Sequence, residues 1–377
     1  MNRQQFSILV QISTIVALCL FAWFLFITTK ANLAAAGMSS GFGFLDEKAG
    51  FDVAFSLIEY SGDNTYWRVF LVGITNTLLA SVFAIAGCTV IGFLVGIALL
   101  SRNPLTAGAA RVYVETFRNV PLLLNILFWY FVILNLFPRV ADSFEFFGAG
   151  YINQRGLYLP LVEATSLGRW IMLAVVVITS IGVFNYSKRQ TEKTGFGIFR
   201  TGWIALISCS VIVLLLSIGA IGADIEMPDK SRFNITGGIS IIPELVALIV
   251  GLSIYHGAFV AEYVRGGLLS VAKGQSEAAL STGLTDWQSM RLVILPQAMR
   301  VIIPPYISNN LNVVKNSSLG AAIAFPELVN IFAGTSLNQT GRAIEIVLMV
   351  MAFYFTISML ISFVLNIYNK KVQFNER

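Results

Sequence analysis

Eight apolar runs, each long enough to cross a bilayer, limit what this chain can become more than any other feature. They lie at about 8–28, 70–100, 119–137, 170–186, 203–222, 241–263, 304–325 and 344–368. Hydrocarbon offers no water to backbone amides and carbonyls, so only helices or closed barrels span it. A helix needs about 20 apolar residues, whereas a membrane strand needs about 9–11. The runs therefore predict an all-α polytopic membrane protein of about eight helices. A composition of 56% hydrophobic against 12% charged residues excludes a soluble fold. Arg3 before the first run and Ala34-Ala35-Ala36 after it resemble a cleavable leader. The run is longer than the 7–15 residues of a leader's apolar region, which favours an uncleaved helix.

Charge gives the orientation, because Lys and Arg collect in short cytoplasmic loops. With the amino terminus inside, fifteen of the 25 basic residues fall in cytoplasmic segments, nine fall outside, and Lys315 falls within a span. Both termini are expected in the cytoplasm. The outer segments 29–69 and 138–168 are rich in Gly, Phe, Asp and Glu. They read as surface loops with short interfacial pieces.

Several chemistries are excluded. No Gly-Lys pair occurs, so there is no phosphate-cradling Gly-x-x-x-x-Gly-Lys loop, and any ATP hydrolysis belongs to another polypeptide. Residues 37–41 match Gly-x-Ser-x-Gly without the strand, helix and His partner that a nucleophile elbow needs. Cys19, Cys88 and Cys209 sit in apolar runs as small hydrophobic residues. His256, the only histidine, builds no metal site and reads as a polar residue in a helix interface. Gly92 and Gly96 form a Gly-x-x-x-Gly pair that permits close helix approach. A net charge of +5 calls for no nucleic acid.

Residues 264–303 stand apart as a cytoplasmic segment of about forty residues between two spans. Ser276-Glu277-Ala278-Ala279 is helix-compatible, Gly283 turns the chain, and Asp286 to Arg291 resumes a helix that Pro296 ends. Leu280, Leu284, Trp287, Met290 and Ile294 recur at helical spacing, which predicts one face packed on the membrane domain. Ala278 and Ala279 then leave a narrow surface for a partner. An ordinary interfacial amphipathic helix is the alternative.

Glu277-Ala278-Ala279, three residues, Gly283, nine residues, then Val293-Ile294-Leu295-Pro296 resembles the E-A-A-x3-G-x9-I-x-L-P loop of ABC importer permeases, with Val293 in the usual Ile place. Three further segments resemble the polar amino acid branch of that family: Phe117-Arg118-Asn119-Val120-Pro121-Leu122-Leu123, Ala261-Glu262-x-x-Arg265-Gly266 and Lys315-Asn316-Ser317-Ser318-Leu319. Pro326-Glu327-Leu328 is similar as well. The enlarged plan is similar to the larger permease subunit of general L-amino acid transporters.

The resemblance implies a five-helix type I permease core with three added helices. Residues 1–69 would be an extra helix and periplasmic loop, 70–137 the first core helices, 138–222 an insert with an extra helix pair, and 223–377 the remaining core with the coupling loop. It implies a bacterial inner membrane location, a separate ABC ATPase dimer that binds ATP and Mg, a periplasmic amino acid binding protein and a shorter sister permease. Glu277, Ala278, Ala279, Gly283, Leu295 and Pro296 would couple to the ATPase.

A path for a zwitterion must offer polar partners, and costly polar groups within spans are the candidates. They are Glu262 and Lys315, with Asn309, Asn312 and Asn316 at a spacing of three and four. Interhelical hydrogen bonding, or a Glu262–Lys315 pair, is the favoured alternative to substrate contact, and Glu262 and Arg265 are also in reach of each other along one helix. An ion-gradient-driven secondary transporter is the alternative function, though no span carries an acid clearly at its centre.

Overall fold

Apolar length decides where the long helices form. The structure, a computed structural model, describes residues 3–35, 41–146, 148–163, 224–231 and 234–373. Helix α1 covers Arg3–Ala35, α2 Tyr66–Ala98, α3 Pro104–Asn119 and α4 Leu122–Leu136. Later come α5 Pro243–Leu269, α6 Lys273–Ser281, α7 Asp286–Ser289, α8 Leu295–Asn316, α9 Leu337–Thr340 and α10 Ala343–Gln373. Among the described residues, the stretch Leu9–Thr28 of α1, all of α2 and α5, and Ala343–Phe363 of α10 are long and apolar enough to cross a membrane. The expected spans at 170–186 and 203–222, Ala36 of the leader-like pattern and residues 37–40 lie outside the described residues.

The chain divides into two compact units, Met1–Phe131 with Glu244–Arg377, and Val132–Pro243. The first is helical. In it, α2 meets α5 along a line of glycines: a methyl group at Gly92 would overlap Val260, and one at Gly96 would overlap Val264. The Gly-x-x-x-Gly pair thus does what such pairs do, letting two backbones approach. An aromatic core lies at one end of α2, where Phe44, Tyr66 and Phe70 pack with Leu328, Phe332 and Ile346. The rings of Phe70 and Phe332 stand 5.0 Å apart.

The second unit corrects the expectation of an all-α chain with loops at 138–168. It contains β1 Phe144–Phe146, β2 Gly150–Asn153, β3 Gly156–Leu159, β4 Leu161–Glu163, β5 Asp224–Glu226, β6 Asp229–Lys230, β7 Ile235–Thr236 and β8 Ile239–Ile241. All pairings are antiparallel, in a β1-β2-β3-β8 sheet and the pairs β4-β5 and β6-β7. Val140, Tyr158 and Ile235 form a buried apolar cluster in it. Strands of two to four residues alternate too briefly to give a period-two signal, and they are far shorter than a membrane strand.

Two boundaries also differ from expectation. The run 119–137 forms one helix, α4, but at 15 residues it is short for a span, and it meets the preceding α3 at 111°. Pro121 forces its predecessor out of helical geometry, and Val120 is extended at φ −86°, ψ 133°. Nor does a helix run over 304–325. Instead α8 starts earlier, ends at Asn316 and tightens into a 3-10 turn over Ser317–Ile323. The hydroxyls of Ser317 and Ser318 donate to the carbonyls of Val314 and Lys315, each at 2.7 Å, and Ala324 at φ 58° reverses the chain. Seryl back-bonding of this kind competes with the helical ladder.

Candidate functional site

The segment with the Glu-Ala-Ala spacing folds as a helical hairpin, and its two halves are capped by different chemistry. Helix α6 ends in a left-handed glycine: Gly283 at φ 85° donates to the carbonyl of Leu280 at 3.0 Å, and Leu284 donates to that of Ala279 at 3.3 Å. These are the two bonds of a Schellman cap, which a residue with a Cβ closes only under strain. Helix α7 then starts with a capping box, in which the Thr285 hydroxyl accepts from the Gln288 amide and the Gln288 side chain accepts from the Thr285 amide. The Thr-Asp-Trp-Gln pattern announces this start in the sequence.

Pro296 does not end the helix. A π turn over Met290–Ile294 joins α7 to α8, and Pro296 sits in the first turn of α8. A wider turn next to a residue with no amide hydrogen lets the chain carry on without a conventional bond at that point. Gln297 donates to Gln275 at 3.1 Å and ties α8 back to α6.

The exposed face of the hairpin differs in part from the one expected: Leu284 and Ile294 are half-buried, but the other three residues of the apolar row face outward. Trp287 is 69% exposed and Leu280 44%, and Met290 is exposed too. Ala279, expected at the partner surface, is 5% exposed and packs inward. Glu277, Ala278, Gly283 and Pro296 are exposed and Leu295 is half-buried. The outward surface therefore combines a carboxylate, a small residue and three large apolar side chains. That combination suits docking better than solvation.

Of the residues expected along a path, the structure brings together Asn309 and Asn316 and separates the others. Glu262 pairs with Arg265 on its own helix, at 2.8 Å and 3.0 Å, and not with Lys315. The Lys315 and Asn312 side chains are exposed. Asn309 and Asn316 converge from α8 on His256 of α5, which the sequence reading left without a role beyond packing. His256 Nδ1 lies 2.9 Å from Asn309 Oδ1, and its Nε2 lies 3.2 Å from Asn316 Nδ2. His256 and Asn309 are each 3% exposed. An amide oxygen only accepts, so Nδ1 carries the imidazole hydrogen and Nε2 accepts from Asn316. Asn309 Nδ2 and Asn310 Oδ1, both buried, have no hydrogen-bond partner.

A second polar cluster involves the Pro326-Glu327-Leu328 turn. The Glu327 carboxylate, fully buried, accepts from the amides of Val329 at 2.8 Å and Asn330 at 2.7 Å. Tyr354 of α10 donates to it at 3.4 Å. Asn76 of α2 donates to the carbonyls of Pro326 and Phe55 and accepts from the Leu57 amide, while Thr77 accepts from the Leu328 amide. Among the described residues, no group of His, Cys, Asp and Glu has the arrangement of a metal site.

Residues 88–374 match the family model of the binding-protein-dependent transport system inner membrane component. The chain is 44% identical over 373 residues to YhdX of Escherichia coli (strain K12), which is named for an amino-acid ABC transporter permease; the match covers 98% of this chain and 94% of that one. It is 43% identical to the general L-amino acid transport system permease protein AapQ of Rhizobium johnstonii, over 98% of this chain and 93% of the relative. It is 37% identical to the glutamate/glutamine/aspartate/asparagine transport system permease protein BztB of Rhodobacter capsulatus, again over 98% of this chain and 94% of the relative. With a family match over most of its length and relatives aligned nearly end to end, this chain belongs to the inner membrane components of binding-protein-dependent transport systems.

Proposed function

We propose that the chain is the membrane-spanning permease subunit of an ATP-driven ABC importer of L-amino acids in a bacterial inner membrane, with both termini in the cytoplasm. The observation that carries this is its likeness, over 98% of its length, to permeases named for amino acid transport. The gradient-driven alternative finds no support among them. On this reading the segments 70–137 and 223–377 carry transport, and 1–69 and 138–222 are additions to a type I core. Eight helices in all remain the proposed count.

The hairpin of residues 273–296 is the proposed coupling element. Glu277, Ala278 and Gly283, with Leu280, Trp287 and Met290 beside them, meet a separate ATPase dimer. The exposed Pro296 and half-buried Leu295 continue that surface at the start of α8, and the buried Ala279 supports it from within the chain. Glu277 offers a carboxylate to a basic residue of the partner. The Schellman cap and the capping box hold the two short helices at a fixed angle, so that movement of the ATPases passes to α8 as a rigid-body displacement. ATP and Mg belong to the ATPase, and the chain itself performs no catalysis. Its other proposed partners are a periplasmic amino acid binding protein and a shorter sister permease, in a heterodimer.

Amino acids pass on this reading beside α5 and α8, where Asn309 and Asn316 are the contact candidates. Lys315, Asn312 and Glu262 serve the approach to the path. The test is purification of the detergent-solubilised protein and identification of what accompanies it. Wild type is expected to bring an ATPase and a second permease, and Glu277→Arg combined with Gly283→Asp to lose the ATPase. Recovery of the ATPase with both proteins would remove the coupling assignment, and uptake driven by an ion gradient without an ATPase would remove the importer reading.

A further inference from the structure

Helix α3 presents more faces than its own chain covers. Its inward face, Ala107, Ala110, Tyr113, Val114 and Phe117, is buried or half-buried. Tyr113 donates to the Ile254 carbonyl of α5 at 2.6 Å, and the Arg118 guanidinium stands 5.3 Å from the centre of the Phe259 ring. The rest of the helix divides in two. At about 100° per residue, Leu105, Ala109, Val112 and Thr116 fall in one stripe, in which Leu105 is 82% and Val112 66% exposed. Arg111, Glu115 and Arg118 fall in a second stripe, with Arg102 just before the helix, and all four are exposed. Among the described residues, Arg102 and Arg111 have no acidic partner. Direction assigns the two stripes to different surroundings. Helix α4 runs along the apolar α5, with Asn125 donating to the Gly251 carbonyl at 2.8 Å and Tyr130 to Glu244 at 3.1 Å, so it shares the direction of a span. Helix α3 turns from α4 by 111° and therefore lies across the spans, close to the plane of a bilayer. A helix in that plane with an apolar and a basic stripe settles where acyl chains meet headgroups.

We infer that α3 is an in-plane helix of the cytoplasmic leaflet, with Leu105 and Val112 among acyl chains and Arg102 and Arg111 on the phosphate groups of anionic phospholipids. Charge complementarity selects this occupant. Three guanidinium groups face one acid, Glu115, on the basic side of the helix, and the cytoplasmic leaflet is the anionic surface of the membrane. The inference rests on the importer reading and its orientation, with residues 101–118 inside, and the experiment separates the two. Because α3 ends where Pro121 starts the turn into α4, lipid that holds α3 also holds the foot of α4.

Lipid binding is read directly, so that the result does not depend on transport. The purified complex is titrated with phosphatidylglycerol, and separately with phosphatidylcholine, and the bound lipid is counted by native mass spectrometry. Arg102→Gln combined with Arg111→Gln is expected to weaken phosphatidylglycerol binding about tenfold and to leave phosphatidylcholine binding unchanged. Arg102→Lys combined with Arg111→Lys, which keeps both charges, is expected to stay within about threefold of wild type. Equal phosphatidylglycerol binding by wild type and the Gln variant overturns the inference. So does loss of the second permease or the ATPase from the Gln variant, which would make the basic stripe a protein interface. Wild type that takes up no amino acid with ATP in vesicles, while the difference in lipid binding stands, would overturn the importer reading alone.

Discussion

The two buried polar clusters of the helical unit are built from the same kinds of side chain and are finished differently. Around Glu327, both carboxylate oxygens, the Asn76 amide and the Thr77 hydroxyl all have partners. Around His256, the imidazole is satisfied at both nitrogens, yet Asn309 Nδ2 and Asn310 Oδ1 next to it are not. Burial is equally deep in the two places. A complete cluster fixes backbone: here it fastens the reversal after α8 to α2 and α10. An incomplete one keeps hydrogen-bonding capacity in reserve, at a cost in stability that only a ligand or a water recovers.

If that contrast is right, substitutions in the two clusters should fail in different assays. The largest effect is expected from Glu327→Leu, which strands the amides of Val329 and Asn330 at about 1–3 kcal/mol each. The thermal midpoint of the purified protein should fall by at least about 5 °C. An unchanged midpoint would mean that the turn is held by its apolar contacts with α2, where Gly73 touches the Leu328 backbone, and the contrast would collapse. The double substitution His256→Leu with Asn309→Val should behave oppositely. Removal of both partners of the His256–Asn309 bond is nearly neutral, and the half-buried Asn316 amide that loses Nε2 costs about 1 kcal/mol, so the midpoint should stay within about 4 °C of wild type while uptake is lost. A large drop in midpoint with uptake intact would make the second cluster as structural as the first.

The hairpin proposed to couple was the most legible part of the candidate site, because its signals are local. Gly283 follows a short helix at the one position where left-handed geometry closes a Schellman cap, and the structure has it at φ 85°. Which face of the hairpin looks outward was not legible. Hydrophobic spacing marks residues that seek cover without saying whether the cover is this chain or another, and Trp287 and Leu280 are exposed on the chain alone. The polar residues proposed for a path were legible as a set and not as an arrangement. His256 lies 53 residues from Asn309 and 60 from Asn316, so no spacing rule connects them. The clasp around Glu327 was less visible still, since Asn76 reaches Pro326 across 250 residues. The β unit escaped notice because its strands are shorter than the window that periodicity needs.

A smaller effect sharpens the comparison from within the incomplete cluster. Asn310→Val removes a buried carbonyl that has no donor, so the midpoint should hold or rise by a few degrees, about 1 kcal/mol at most. A fall would show that the Asn310 carbonyl is satisfied by a buried water, and the cluster would then be less open than its protein contacts imply.

The smallest effect concerns the loop that leans on the complete cluster, and pH is the way to see it. Phe55 and Leu57 bond to Asn76, and Tyr60 steadies the same loop by donating to the Phe51 carbonyl at 2.8 Å. Burial, the nearby Asp52 carboxylate and Tyr66 push the Tyr60 phenol up to about 12 from an ordinary 10.0. The unfolded chain therefore begins to lose this proton near pH 10 while the folded chain holds it to about 12. Through that window the folded state binds more protons, so the contribution of Tyr60 is complete below pH 10 and is lost as the pH rises through 12. Tyr60→Phe should cost about 1 kcal/mol at neutral pH for the lost hydrogen bond. Its midpoint should then decline less steeply than that of wild type between pH 10 and 12. Parallel declines would mean that the phenol titrates alike in both states, and that the loop is held at Asn76 alone.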